Sequence, residues 1–492
     1  MPKLKIVQGQ MATTTWFDGE PLLAAVLQRE GYAFSMPCGG KGICGKCKVE
    51  ASGALSPETV REQALGSRLA CQSRLLGDAY VTLPAAQTLT NIAASGVRPT
   101  FTLAPMQGRY GLAVDIGTTT LATSLLDLST GDMLASATAE NPQRAIAADV
   151  IGRMEAALTG QGERLQSLVR SEIDRLRGEL CARLGLAEED IDQTVVTGNT
   201  TMLYLLTGRS PEPISHAPFV ADCLFGHWTQ PPAPRLYLPH CIGAFVGADI
   251  ICAILASQMC KQTRTTVLMD VGTNGEIALW HHGKLSVCAT AAGPAFEGGG
   301  MEYGCGSVLG AIDRVWAQDG APACSTIGGG EPVGICGSGV IDAVATLMSL
   351  EMLDETGSLD SARVMLAGGV AFTQRDVRNV QLAKSAIAAG LLTLCHAEGI
   401  AMVDIAVLYL AGGFGKHLDL ANAATIGLIP QALVGKTEVI GNAALTGSEM
   451  LLLQTGFLAE TEGYAHAAVV VTLSGNPVFS EHYMNCMMLE PI

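Results

Sequence analysis

Residues 111–121 read GLAVDIGTTTL and residues 267–277 read VLMDVGTNGEI, two copies of one pattern. In each, an apolar run ends in an aspartate followed by an apolar residue, a glycine and a threonine, so Asp115, Gly117 and Thr118 answer to Asp270, Gly272 and Thr273. The equivalent aspartates lie 155 positions apart (270 minus 115), which fits a duplicated half-domain rather than a short repeat. β-Branched and apolar residues flank each glycine, predicting a strand that turns tightly into a second strand. Such a turn lets main-chain N–H groups and threonine hydroxyls close around phosphoryl oxygens, while the aspartate at the strand end can hold Mg²⁺ directly or through water. The predicted contacts are Gly117, Thr118 and Thr119 in one copy and Gly272, Thr273 and Asn274 in the other, with Asp115 and Asp270 as catalytic carboxylates. A single copy reads equally well as an ordinary hairpin; two facing copies make a nucleotide cleft.

The 492 residues suffice for two to four domains with large cores. The 57 glycines and an aromatic content of only 5% suit a multi-domain α/β protein with many strand-to-helix turns. A formal charge of −16 argues against a nucleic-acid partner. The opening MPKLKIVQGQ is a polar-punctuated strand pattern without a following apolar segment, so no signal peptide is read and a cytoplasmic location is expected. The most membrane-like run, residues 241–259, carries Asp249 at its middle and several small residues, which predicts a buried core segment and no membrane association.

Eleven of the 15 cysteines stand singly among apolar residues, as small hydrophobes do. The other four do not. Residues 1–85 read strand, strand, helix, then the loop PCGGKGICGKC and further strands, with Cys38, Cys44, Cys47 and the distant Cys71 separated by five, two and 23 residues. Zinc sites usually show two close pairs; one ligand arriving alone from far down the chain resembles ferredoxins that hold a 2Fe-2S cluster, here the bacterial and mitochondrial branch. Gly39, Gly40, Gly42 and Gly45 let the backbone wrap an inorganic core and aim N–H groups at its sulfurs. Zinc is the alternative occupant. Lys41, Lys46 and Lys48 read either as a docking patch for an acidic redox partner or as a solvated loop.

Residues 86–108 are small and polar with two prolines and no sustained period, so they read as a linker. Beyond them, residues 165–184 place leucine, valine and isoleucine at helical spacing, a packing stripe. TVVTGNTTML follows, where Asn199 reads as a phosphate contact or a turn former. Asp249 precedes Asp270 by 21 residues and has two readings, orienting an attacking water or capping a helix. AGPAFEGGG carries Glu297, and GICGSG precedes an apolar helix whose N-terminus can bind an anion. In LYLAGGFGK, Gly412, Gly413 and Gly415 let an adenosine lie against backbone.

The order of phosphate hairpin, acidic segment, phosphate hairpin and adenosine glycines resembles the superfamily of acetate and sugar kinases, Hsp70 and actin. That resemblance spans residues 109–492 and implies two ribonuclease-H-like halves clamped on ATP, after an N-terminal β-grasp ferredoxin-like domain. With the cluster loop included, PCGGKGICGKC, DIGTTT, DVGTNGEIAL, TAAGPAFEGGG, GICGSGVIDAV, VRNVQLAKSAIAAG and YLAGGFGKHL in this order resemble the reductive activators of corrinoid-dependent methyltransferase systems. The resemblance implies an ATP-hydrolysing iron–sulfur enzyme that returns a corrinoid protein from Co(II) to Co(I). It also implies an upstream low-potential electron donor, and it allows a homodimer. Larger relatives carry a middle domain between linker and ATPase, where this chain has 23 residues. Two further readings share the same parts: an activator of another low-potential enzyme such as a 2-hydroxyacyl-CoA dehydratase, and a redox-responsive ATP sensor.

Overall fold

The computed structural model describes residues 1–8, 11–30, 32, 40, 42, 45, 47–83, 96–230, 235–413 and 418–492, which form two compact units. Met1–Thr88 and Pro142–Ala156 make the first, Leu89–Asn141 and Ala157–Ile492 the second.

The first unit contains strands β1 (Lys3–Gln8), β2 (Met11–Trp16), β3 (Lys48–Leu55), β4 (Arg68–Leu69) and β5 (Leu75–Leu83) in the order β2-β1-β5-β3-β4. β1 pairs antiparallel with β2 but parallel with β5, and the crossover that parallel pairing requires includes the helix Leu23–Arg29. This is the β-grasp arrangement. Period-2 alternation sends Leu4 and Ile6 into the core, where Leu23, Val26 and Leu27 meet them from one face of the helix. Glu62, on the helix Val60–Leu65, is buried beneath the turn that follows β4. It accepts from Thr59 N–H (2.8 Å), Leu69 N–H (2.9 Å), Ser73 Oγ (2.8 Å) and Arg68 Nε (3.0 Å). Burial alone raises its pKa, yet these donors more than offset it and hold the carboxyl at about 2. In the Pro142–Ala156 segment, buried Arg153 donates to the Ala147 carbonyl (3.1 Å) and Gln143 Oε1 (3.2 Å).

The second unit holds the duplication. Its first half carries β6 (Tyr110–Ile116), β7 (Thr120–Asp127), β8 (Asp132–Glu140), β9 (Ile191–Gly198), β10 (His227–Trp228) and β11 (Tyr237–Leu238), ordered β10-β11-β9-β6-β7-β8. Its second half carries β12 (Thr266–Val271), β13 (Gly275–His281) and β14 (Lys284–Thr290). After these come a three-stranded sheet of β15 (Ala311–Gln318), β16 (Ala321–Thr326) and β17 (Gly334–Ile335), and the hairpin of β18 (Arg363–Ala367) and β19 (Val370–Thr373). β20 (Val407–Ala411), β21 (Thr437–Gly441) and β22 (Val469–Val470) complete the second six-stranded sheet, β21-β20-β12-β13-β14-β22. β6 and β12 thus play one part: each is antiparallel to the next strand and parallel to β9 or β20, reached through the long helices Gly162–Leu184 and Gln374–Glu398. Both halves are ribonuclease-H-like.

The helices Ala248–Ser257 and Ala443–Leu453, which follow the two last parallel strands, cross in close contact. A Cβ on Gly447 would lie 2.1 Å from the Cys252 carbonyl oxygen. Every residue of Ile250–Ala256 is buried, so most of the apolar run 241–259 is core, with Phe245 at 37% the exposed exception. The helix Gln374–Glu398 is long and apolar enough to cross a membrane, but its apolar window is 78% buried inside the fold, as a core helix is.

The expected linker differs from a free tether in its second half. Val97, Ala104 and Met106 N–H groups donate to the carbonyls of Ile440 (3.1 Å), Leu453 (3.1 Å) and Leu452 (2.9 Å), and Phe101 stacks edge-on against Phe457 at 5.2 Å. Side chains add to these backbone bonds: Arg98 donates to the Gly131 carbonyl (2.6 Å) and Gln454 Nε2 to the Thr102 carbonyl (2.8 Å).

Candidate active site

In the first unit, Cys47 stands just before β3 and Cys71 just after β4. They are 2% and 4% exposed, with sulfurs 3.2 Å apart and no disulfide. The hydrogen bond with Cys47 is the main reason the Cys71 thiol falls to about 6 against the opposing effect of burial; the Gln72 side chain and the Gly42 N–H add to it. Gln72 Nε2 also donates to the Gly40 carbonyl (2.8 Å), fastening the glycine loop to Cys71. Two buried thiols that converge, one already acidic and facing a backbone N–H, are the donor chemistry of an iron–sulfur site. Cys38 and Cys44 lie outside the described residues.

In the second unit, the two hairpins face one cavity of about 180 Å³. Each turn is closed by its glycine N–H, Gly117 to Thr120 O and Gly272 to Asn274 O, both 3.0 Å. Thr119 and Thr273 both donate to Glu297 Oε2, the second at 2.5 Å, and their hydroxyls are 3.5 Å apart. Asp115 ends β6 and accepts from Asn442 Nδ2 (2.9 Å); Asp270 ends β12 directly opposite Glu276 on β13. Asn199 caps the helix Thr200–Thr207 through Met202 N–H (3.0 Å), donates to Thr118 Oγ1 (3.4 Å) and lines the cavity. Asp249 lies in the first turn of the helix Ala248–Ser257 and lines the cavity, while the N-cap is Gly247. Gly412, at φ +119°, approaches so closely that a Cβ would lie 2.4 Å from Val271 O and 3.2 Å from Asp270 Oδ1. Gly337 and Ser338 bring a helix N-terminus to the same space.

Five carboxylates (Asp115, Asp249, Asp270, Glu276 and Glu297) and no lysine or arginine line the cavity among the described residues. Burial pushes Asp270 up to about 8, with Asp249, Asp115 and Glu297 adding their charge. Burial likewise lifts Asp115 to about 7, Asn442 holding it back and Asp249 and Glu297 adding to the rise, and it lifts Asp249 to about 6. Glu276 is raised well above its ordinary value by burial and by Asp249 and Asp270. Carboxylates so placed favour a cation among them, and glycine turns beside a helix N-terminus favour phosphate; the two together suit a divalent cation carried with a polyphosphate.

Asp115, Asp249, Asp270, Gly117, Thr118, Thr119, Gly272, Thr273, Asn274, Gly412 and Gly413 therefore share one cavity, and Gly415 lies outside the described residues. Sequence reasoning missed Glu276 and Asn442. A glutamate inside the otherwise apolar GEIAL strand was a signal for the first; nothing marked the second, which sits 327 positions from Asp115.

The folds and these two sites define a β-grasp iron–sulfur domain joined to a nucleotide clamp of the actin, Hsp70 and sugar-kinase type. Comparison with known proteins narrows this. Residues 5–76 match the 2Fe-2S iron-sulfur cluster binding domain, residues 110–262 the RACo middle region, and residues 264–491 the C-terminal domain of RACo, the ASKHA domain. The middle-region match falls on the first ribonuclease-H-like half, not on the 23-residue connection. The chain is 33% identical to the corrinoid activation enzyme RamQ of Eubacterium limosum, over 76% of this chain and 69% of that one. It is 25% identical to the Co(II) methylated amine-specific corrinoid protein reductase of Methanosarcina barkeri, over 70% of each. A solved structure of a reductive activator for corrinoid, iron-sulfur protein superposes with a TM-score of 0.74 at 26% identity, covering 100% of this chain and 99% of that one. The chain belongs to this family of corrinoid-activating enzymes.

Proposed function

We propose that this enzyme uses ATP to drive one electron onto a corrinoid protein of a methyltransferase system, returning Co(II) to Co(I). The observation that carries the reading is the union in one chain of a buried cysteine pair with converging sulfurs and a carboxylate-lined double hairpin. The proposed domain limits are residues 1–85 for the ferredoxin-like part, 86–108 for the connection and 109–492 for the ATPase, although Pro142–Ala156 belongs to the first compact unit. Cys38, Cys44, Cys47 and Cys71 would hold a 2Fe-2S cluster, which supplies a one-electron carrier when bound. An upstream low-potential donor in the cytoplasm would fill it.

In the cavity, Asp115 and Asp270 would hold Mg²⁺, and Gly117, Thr118, Thr119, Gly272, Thr273 and Asn274 would surround the phosphates. Gly412, Gly413 and Gly415 would lie against adenosine. Asp249, with its carboxyl held near neutrality, can accept a proton at its Oδ from the attacking water and orient it. If the acceptor lay about 0.2 V below the donor, one electron would cost about 5 kcal/mol, within what roughly 10⁴-fold differential binding of nucleotide to two conformations supplies.

The test is coupling. ATP hydrolysis by the anaerobic holoprotein should rise when a Co(II) corrinoid protein is added, and the rise should vanish in Cys71→Ser while the basal rate stays. Equal rates with and without the corrinoid protein would reject the reading. Iron analysis should give about two irons and two acid-labile sulfides per chain; stoichiometric zinc without sulfide would reject the cluster.

A further inference from the structure

The connection that leads from the cluster domain is bonded to Ile440 and Gly441, the two residues just before Asn442, which lines the nucleotide cavity. From the cavity, Asn442 Nδ2 donates to Asp115 Oδ2 (2.9 Å) and the Gly412 N–H donates to the Gly441 carbonyl (3.1 Å). From the opposite side, Gly96 forms an antiparallel bridge with Gly441 and the Val97 N–H donates to Ile440 O (3.1 Å). The approach is so close that a Cβ on Gly96 would lie 2.0 Å from Thr446 Oγ1 and 2.7 Å from the Asn442 carbonyl oxygen. Asn442 Oδ1 also caps the helix Ala443–Leu453 through the Leu445 N–H (2.8 Å), and the far end of that helix receives Ala104 and Met106.

A ligand that fixes Asp115 and Gly412 removes freedom from the Gly441–Asn442 step. That lowers the entropic cost of keeping Gly96 and Val97 docked on its other face. We infer that residues 96–106 are a nucleotide-responsive strap and that Asn442 is the positioning residue joining it to the cavity. Bound Mg-nucleotide tightens the strap, and by reciprocity a docked strap tightens the nucleotide. The occupancy of the cavity thereby sets how firmly the connection to the cluster domain is held. This inference rests on the cavity being a nucleotide site.

Amide hydrogen exchange of the anaerobic, full-length holoprotein tests it, read on peptides spanning residues 96–106 with and without saturating Mg²⁺ and a non-hydrolysable ATP analogue. Exchange at Val97, Ala104 and Met106 is expected to slow by roughly five-fold or more with the analogue. Asn442→Ala should bind the analogue more weakly and, with the analogue at saturation, lose this dependence. Gly96→Ala should lose it as well and weaken analogue affinity by a comparable factor, with iron content unchanged. Gln454→Ala removes the side-chain bond to the Thr102 carbonyl (2.8 Å), along with the one Gln454 Oε1 accepts from the Gly456 N–H (3.0 Å), and should act in the same direction more weakly, which covers a failure of Gly96→Ala to fold. Unchanged exchange with the analogue measurably bound overturns the strap alone. An analogue that does not bind overturns the nucleotide reading and the strap with it.

Discussion

Replacing Asp270 by asparagine should stabilise the ligand-free protein, and by more at high pH than at low. Burial and the charges of Asp249, Asp115 and Glu297 hold this carboxyl at about 8 in the fold, against an ordinary 3.8. Below about pH 4 it is protonated in the folded and unfolded chain alike and costs nothing. Between about pH 4 and 8 the unfolded chain releases the proton while the fold retains it, so stability falls by up to about 1.4 kcal/mol per pH unit and by roughly 6 kcal/mol at most. Asparagine keeps the shape and cannot ionise. Because neighbouring carboxylates share the charge, Asp270→Asn should gain about 2–5 kcal/mol over wild type at pH 8 and about 1 kcal/mol at pH 5. Urea unfolding in EDTA without nucleotide, at pH 5, 6, 7 and 8, gives the difference in midpoints. Adding Mg-ATP should reverse the order, since only the wild type gains the binding energy. A difference that stays flat with pH, or shrinks as pH rises, refutes the argument.

Asp249→Asn should lower the ATP turnover rate at least ten-fold while nucleotide affinity changes less than three-fold, as for a residue that acts on the attacking water; equal losses in both would make it a structural aspartate. Glu62→Gln should destabilise the ferredoxin-like unit by about 3 kcal/mol at pH 7, because the wild-type carboxylate contributes stability above about pH 4.5 that is lost as pH falls through about 2. Loss of visible absorption on heating reads this, and an unchanged midpoint at pH 7 would count against it. Gly447→Ala forces a Cβ toward the Cys252 carbonyl where the two helices cross and should cost about 1–3 kcal/mol, seen as a lower unfolding midpoint with unchanged iron content.

The two hairpins were legible because the same backbone solution, an aspartate at a strand end before a glycine turn, was written twice at a half-domain spacing. The two ribonuclease-H-like sheets came with the resemblance to the acetate and sugar kinase, Hsp70 and actin superfamily that this order of motifs carries. What could not be read were contacts between distant segments. Asn442 reaches Asp115 across 327 positions and Thr119 reaches Glu297 across 178, and neither pair has a local signature. Glu276 was hidden in a strand whose other residues are apolar. The composition of the connection left open whether it was free or docked; from Gly96 on it is docked, through backbone N–H groups that every such residue carries and through the Arg98 and Phe101 side chains. The cysteine spacing grouped Cys47 and Cys71, 24 positions apart, with Cys38 and Cys44, and the sulfurs of the first two lie 3.2 Å apart.

The central claim is that ATP turnover and one-electron transfer to cobalt are coupled. Mixing the reduced holoprotein with a Co(II) corrinoid protein and following Co(I) absorption, with Mg-ATP, with a non-hydrolysable analogue and without nucleotide, tests it most directly. The account predicts Co(I) only with hydrolysable ATP, and none from Cys71→Ser or Asp270→Ala. Co(I) formed equally well without nucleotide, or no Co(I) under any condition while another low-potential acceptor stimulates hydrolysis, would contradict it.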